Sequence, residues 1–212
     1  MDSSFQHSGR GDGNRDVYLS VDLDYWAKFL RYANPCSASL FLRRVARSGR
    51  PITVGVSHEE LLEDLDGRSY QWLINVDTHD DIEKSAYIPQ GYSPKEGDWA
   101  THVPFRESAI YEWRFPSHYW CVRKRNGLCS DDPRFWEHPR ASGWQQVRRR
   151  QGVAGIPWRR VDRVFIALSP GYSSWEPVLA PLERLLKVPG VHIGPRVYEE
   201  VGRWILEREV RL

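Results

Sequence analysis

Two short stretches of this chain concentrate residue types that can do chemistry: Asn75-Val76-Asp77-Thr78-His79-Asp80-Asp81-Ile82 and Ser20-Val21-Asp22-Leu23-Asp24-Tyr25-Trp26. Each begins as an apolar run of the kind that forms a buried parallel strand, and each ends in carboxylates. If the chain stays extended, the two-residue period turns Asp77, His79 and Asp81 to one side and pairs Asp22 with Asp24. Four carboxylates converging with nothing between them would repel, because desolvated like charges cannot all remain ionised. A divalent cation removes that conflict, and carboxylate oxygens with imidazole nitrogens suit manganese, iron or zinc. The pattern is that of a metal site. The structural alternative for Asp22 and Asp24 is helix capping plus a salt bridge, and for His58 a capped-helix imidazole bonded to backbone.

The elements that must position these residues follow from the hydrophobic pattern. Met1 to about Asp16 has little apolar content and reads as a disordered N-terminal tail, leaving residues 17–212 as a single catalytic domain. Val17 to Leu23 forms a first strand, with its carboxylates at the C-terminal end, where open parallel sheets bind ligands. Tyr25 to Tyr32 reads as a short helix and Ser37 to Arg47 as a second. Pro51 to Val56 is a strand. Ser57 and Glu60 then have capping-box spacing, which places His58 where a strand gives way to a helix closed by Gly67. Trp72 to Val76 is the third strand, and Ile82 to about Asp98 a long loop. Ala109 to Val122 alternates aromatic and polar residues, as in a strand or hairpin with one buried face. Arg123 to Arg160 shows little periodicity. Val161 to Leu168 is a buried strand, Pro177 to Lys187 a helix, Val191 to Ile193 a short strand and Pro195 to Arg208 a final helix. Strands alternating with helices predict an α/β fold of three layers, αβα, around a mainly parallel sheet.

Taken together, these motifs resemble the arginase-like ureohydrolases, whose D-x-H-x-D motif matches Asp77 to Asp81 and whose S-x-D-x-D motif matches Ser20 to Asp24. The Asp-Leu-Asp-Tyr-Trp ending, the Asn-Val-Asp-x-His run and Leu168-Ser169-Pro170-Gly171-Tyr172 resemble most the small peptide arginases. Those enzymes convert arginine to ornithine within ribosomally made peptides. The two motifs stand in the reverse of their order in the larger arginases. The resemblance implies a compact arginase-like fold and two Mn2+ ions, with Fe2+ or another divalent ion as substitutes. It also implies the ligands: Asp77 and Asp22 bridging, His58 and Asp81 on one ion, His79 and Asp24 on the other. Glu176 would bind the guanidinium, His102 would shuttle a proton, and Glu96 and Asp98 would contact substrate. The reaction implied is hydrolysis of peptidyl arginine to ornithine and urea, a post-translational modification whose partner is the precursor peptide.

Composition narrows the classes. At 212 residues, with 41% hydrophobic and 27% charged, the chain is an ordinary globular length and mixture. Three cysteines without CxxC spacing argue against a disulfide framework and a structural zinc site, and favour a reducing, cytoplasmic setting. No apolar run reaches the roughly 18 residues that would span a membrane. A formal charge of +2 is too weak to argue for a nucleic-acid partner, and the small size is compatible with a monomer. The arginines at 148–150 and 159–160 read as a solvated face, although neighbouring tryptophans could grip a peptide or stack on single-stranded nucleic acid. Three other functions compete: an arginase- or agmatinase-like hydrolase of a free small guanidine, a metal-dependent amide deacetylase and a non-enzymatic binding module.

Overall fold

The computed structural model describes residues 15–27, 35–65, 67–68, 70–79, 81, 99–103, 105–116, 144–170 and 178–210. Residues 1–14 of the expected N-terminal tail, the loop from Ile82 to Asp98, and Glu96, Asp98 and Glu176 lie outside those residues; Asp16, the last residue of the expected tail, is instead buried and paired with Arg160 at 2.6 Å.

Seven strands form one sheet: β1 Val17–Asp22, β2 Ile52–Gly55, β3 Tyr70–Val76, β4 Phe105–Phe115, β5 Gln146–Gln151, β6 Val161–Ala167 and β7 Val191–Ile193. Their spatial order is β5-β4-β3-β1-β6-β2-β7, and every neighbouring pair is parallel. The helices are α1 Asp24–Ala27, α2 Pro35–Ala46, α3 Glu60–Leu65, α4 Leu179–Leu186 and α5 Pro195–Val210. A 3₁₀ turn spans Trp99–Thr101.

Both faces of the sheet are covered, which is what an all-parallel sheet demands. On one face, Leu19 and Val21 of β1 and Val164 and Ile166 of β6 pack against apolar residues of α1, α2, α4 and α5. On the other, Tyr18 of β1, Leu73 of β3 and Phe165 of β6 meet Leu61 and Leu65 of α3 and Trp99 of the 3₁₀ turn. This is a three-layer α/β fold. Every residue of β1 is buried, as befits its central place. The edges are guarded: β7 is three residues long, and β5 carries Arg148, Arg149 and Arg150.

The structure departs from the sequence reading at three places. β5 falls within the aperiodic stretch from Arg123 to Arg160; its Gln-Val-Arg-Arg-Arg-Gln has one apolar residue, so pairing with β4 and not burial makes it a strand. β4 was expected to bury one face, yet Glu112 and Arg114 on its other face are also buried, as an ion pair. Its neighbours β3 and β5 are both parallel to it, so β4 and β5 are not the arms of a hairpin. Finally, Glu60 accepts the backbone N–H of Val56 at 3.1 Å, one residue earlier than a capping box with Ser57 requires. Gly55 makes room for that contact, since a Cβ there would lie 2.8 Å from Glu60 Oε2 and 2.7 Å from Phe165 Cζ.

Among the described residues, no helix is long and apolar enough to cross a membrane.

Candidate metal centre

β1 and β3 lie side by side, and the chain leaves them in opposite directions: from β1 across β6 to β2, from β3 outward to β4. The C-terminal ends of two such strands open a crevice, the usual ligand site of an open parallel sheet. Asp22 ends β1, Asp24 begins α1, and Asp77, His79 and Asp81 follow β3. His58 arrives from the turn between β2 and α3. All six sequence-predicted ligands therefore meet at this one end of the sheet.

They meet as two groups. Asp22, His58 and Asp77 form one and Asp24, Asp77 and His79 the other, with donor atoms in each within 4.8 Å of one another. His58 Nδ1 lies 3.4 Å from Asp77 Oδ2, 3.4 Å from Asp81 Oδ2 and 3.6 Å from Asp22 Oδ2. His79 Nδ1 lies 3.4 Å from Asp24 Oδ2 and 3.6 Å from Asp77 Oδ1. Donors each about 2.1 Å from a shared cation stand roughly 3.0–3.4 Å apart; these pairs, at 3.4–3.6 Å, lie at or just beyond that span. Asp77 directs one oxygen to each group, as a bridging carboxylate does. Asp22, implied by the resemblance as a second bridge, stands in the His58 group and not in the other: its Oδ2 lies 3.6 Å from His58 Nδ1, while its Oδ1 accepts the backbone N–H of Asp24 at 2.8 Å.

The convergence does not come from an extended chain. β3 stops at Val76, and the Asp77 carboxylate accepts the His79 backbone N–H at 2.9 Å, folding the segment back. Asp81 then takes a left-handed conformation, φ 51°. Asp24 likewise turns into α1 and accepts the Thr78 backbone N–H at 3.2 Å, tying the two motifs together. The period-two expectation is corrected to two tight turns stabilised by their own carboxylates.

Further residues hold the ligands: Ser20, Asn75 and Ser169 from the quoted motifs, and Trp99 and Trp113, to which the sequence assigned no such role. Trp99 Nε1–H donates to Asp81 Oδ2 at 2.7 Å and its ring packs on His58, centroids 4.9 Å apart. Asn75 Nδ2 donates to the same oxygen at 3.1 Å and to the Tyr111 hydroxyl at 3.0 Å. Trp113 Nε1–H donates to the Asp77 carbonyl at 3.0 Å. Ser20 Oγ lies 3.1 Å from His58 Nε2, which keeps Nδ1 towards the carboxylates. Ser169 donates to Asp22 Oδ2 at 2.6 Å from a φ of 46°. Among the described residues, Asp81 and Ser169 are the two non-glycine residues with positive φ, and both strained positions serve this site. Alternating apolar and polar letters give no hint of these supports. The readable signals were Asn75 on an otherwise apolar strand and the crowding of tryptophans.

His102 closes the Trp99 turn, its backbone N–H donating to the Trp99 carbonyl at 3.0 Å. Tyr25, beside Asp24, is pushed up to about 12 by burial against an opposing pull from Arg114, so its phenol stays neutral. His79 is 46% exposed whereas Asp22, Asp24, His58, Asp77 and Asp81 are buried; the cluster opens to solvent on its His79 side.

The electrostatics fit a cation. Burial first, then Asp24 and Asp77, raise Asp22 well above the carboxylate range; burial first, then Asp81, raises Asp77. Burial alone would lower His58, but the Asp81 hydrogen bond and the charges of Asp77, Asp81 and Asp24 raise it. Without a cation these groups hold protons that the unfolded chain would release. The stability they contribute is present at low pH, falls from about pH 4 upward because the unfolded chain's carboxylates ionise while Asp22 and Asp77 keep their protons, and falls again up to the raised pKa of His58. Chelated protein should therefore melt lower at about pH 8 than at pH 5.5, and Mn2+ should raise the melting temperature more at the higher pH. Chelated protein that instead melts higher at pH 8 would contradict the cluster electrostatics.

Trp99→Phe keeps the ring on His58 and removes the bond to Asp81. Metal affinity is expected to fall about 10–100-fold, read by competition with a fluorescent chelator. An unchanged affinity would assign Trp99 to packing only.

Comparison with models of known protein families, with curated proteins and with solved structures found no match.

Proposed function

We propose that this chain is a metal-dependent hydrolase of the arginase type, holding two divalent ions, manganese foremost. It acts on arginine side chains within a peptide, giving urea and ornithine. The observation that carries the reading is Asp77, whose two carboxylate oxygens face two separate Asp/His groups.

Asp22, His58 and Asp81 with one oxygen of Asp77 would hold one ion, and Asp24, His79 and the other oxygen the second. Bound there, the ions supply Lewis acidity and a nucleophile from water near neutral pH, chemistry suited to an unreactive guanidinium. The protein's own part is positional. Ser20, Asn75, Trp99 and Ser169 fix the donors before any substrate arrives. The open His79 side gives a long side chain a way in. Hydrolysis adds one water across the carbon–Nε bond: urea departs, and the amine left on the peptide takes up a proton, for which His102 is the proposed donor. Glu176 is the proposed anchor for the cationic head, with Glu96 and Asp98 as further contacts. A cytoplasmic setting and a monomeric state belong to the same proposal.

The test is metal content measured alongside product. Protein purified without chelator and loaded with Mn2+ should hold about two ions per chain and release urea from arginine-containing peptides. Urea from free arginine or agmatine alone would move the reading to a small-molecule ureohydrolase. One ion, with acetate released from an acetylated peptide, would indicate a deacetylase, and no bound metal would overturn the reading.

A further inference from the structure

At the other end of the sheet the surface is of a different kind. α2 begins beside the metal centre, where Trp26 Nε1–H donates to Ser37 Oγ at 3.3 Å. Ten residues later, about 15 Å along the axis, it gives way to Arg47. There Arg43, Arg44 and Arg47 meet Arg50 and the Trp158-Arg159 segment that precedes β6, lining a groove of about 470 Å³. The groove lies at the N-terminal ends of β2 and β6, opposite the carboxylates.

Five guanidinium groups line it, and no carboxylate does among its described lining residues. The whole chain carries a formal charge of only +2, so this is a local concentration of charge. Arg50 is fixed in place by donating to the Arg159 carbonyl at 3.4 Å, and its buried Nε–H has no hydrogen-bond partner. Leu40 on the rim is 66% exposed, an apolar surface amid the charges. This lining suits an anionic group that carries an aliphatic element.

Two observations favour a peptide over single-stranded nucleic acid. Nucleic acid needs open aromatic faces for base stacking. Trp158 offers none freely: the Arg44 guanidinium covers its ring at 4.8 Å, and Phe41 packs on it with centroids 5.6 Å apart. Guanidinium forks pair with carboxylates and phosphates alike, but the exposed Leu40 among them suits the aliphatic side chains that a peptide supplies.

We propose that this groove docks an acidic peptide segment, its carboxylates on Arg43, Arg47, Arg50 and Arg159 and an aliphatic side chain against Leu40. The site is separate from the metal centre and does not depend on the chemistry performed there.

Fluorescence anisotropy on the full chain tests it, using a labelled peptide of alternating Glu and Leu, its Lys-for-Glu counterpart and an oligo-dT strand. The acidic peptide should bind and weaken as salt rises, and the Lys peptide should not bind. Arg43→Glu/Arg47→Glu changes two exposed residues and should weaken binding by at least about 10-fold, while Asp77→Asn should leave binding unchanged. Arg159→Glu, on a different segment, gives a second reading should the double variant misfold. Failure to bind the acidic peptide, binding untouched by charge reversal in both variants, or tighter binding of oligo-dT would each overturn the proposal.

Discussion

Under the proposed function, Asp77→Asn is expected to empty both metal positions and cut urea formation by more than about 100-fold, beyond the range typical of residues that only support a ligand. Asp77 is the residue common to the two groups, with Oδ1 3.6 Å from His79 Nδ1 and Oδ2 3.4 Å from His58 Nδ1. An asparagine keeps the shape and can still accept the His79 N–H, but it loses the charge and presents a nitrogen to one side. The same change should move stability the opposite way when no metal is present. Asp77 is raised by burial and by Asp81, so its removal relieves a buried charge conflict. Chelated variant should then melt above chelated wild type at about pH 8. Mn2+ at about 100 times its dissociation constant should reverse the order, because binding adds about 2.7 kcal/mol, or roughly 5–10 °C, to wild type alone. Full metal content in the variant by mass spectrometry would refute the bridging role. A drop in chelated stability would show that Asp77 is a structural residue.

Arg114→Leu should lower stability by about 3–5 kcal/mol, a fall in melting temperature of about 10 °C or more, because it removes one partner of a buried ion pair. Arg114 and Glu112 are buried side by side on β4. Arg114 Nη1–H also donates to the Ala154 carbonyl at 2.6 Å and reaches the Gly152 carbonyl at 3.4 Å, tying β4 to the segment between β5 and β6. Without it the partner left to Glu112 among the described residues is Arg150, 4.0 Å away and half exposed. Glu112→Leu/Arg114→Leu replaces both charges and should recover much of the loss, since an apolar pair of similar volume often matches a buried salt bridge. Thermal melts of the three proteins decide the matter. A single variant that melts like wild type would mean that the pair contributes nothing.

The alternation of strands and helices, and the gathering of carboxylates at the ends of β1 and β3, can be read from the sequence alone. Runs such as Val17–Asp22 and Tyr70–Val76 are apolar because both sheet faces are covered, and that is legible in one dimension. So is a cluster of carboxylates where an apolar run stops, which a strand core has no use for. His58 was also legible, from its place between a strand and a helix. Tertiary structure decided the rest. β5 is a strand only because β4 offers it hydrogen bonds, and Glu112 and Arg114 can be buried only because each neutralises the other. Strand order set β1 beside β3, so two motifs more than fifty residues apart share one crevice whatever their order along the chain. The supporting bonds from Ser20, Trp99 and Ser169 join residues distant in sequence. No local pattern encodes such pairs, because the free energy that selects them arises only once the sheet has formed.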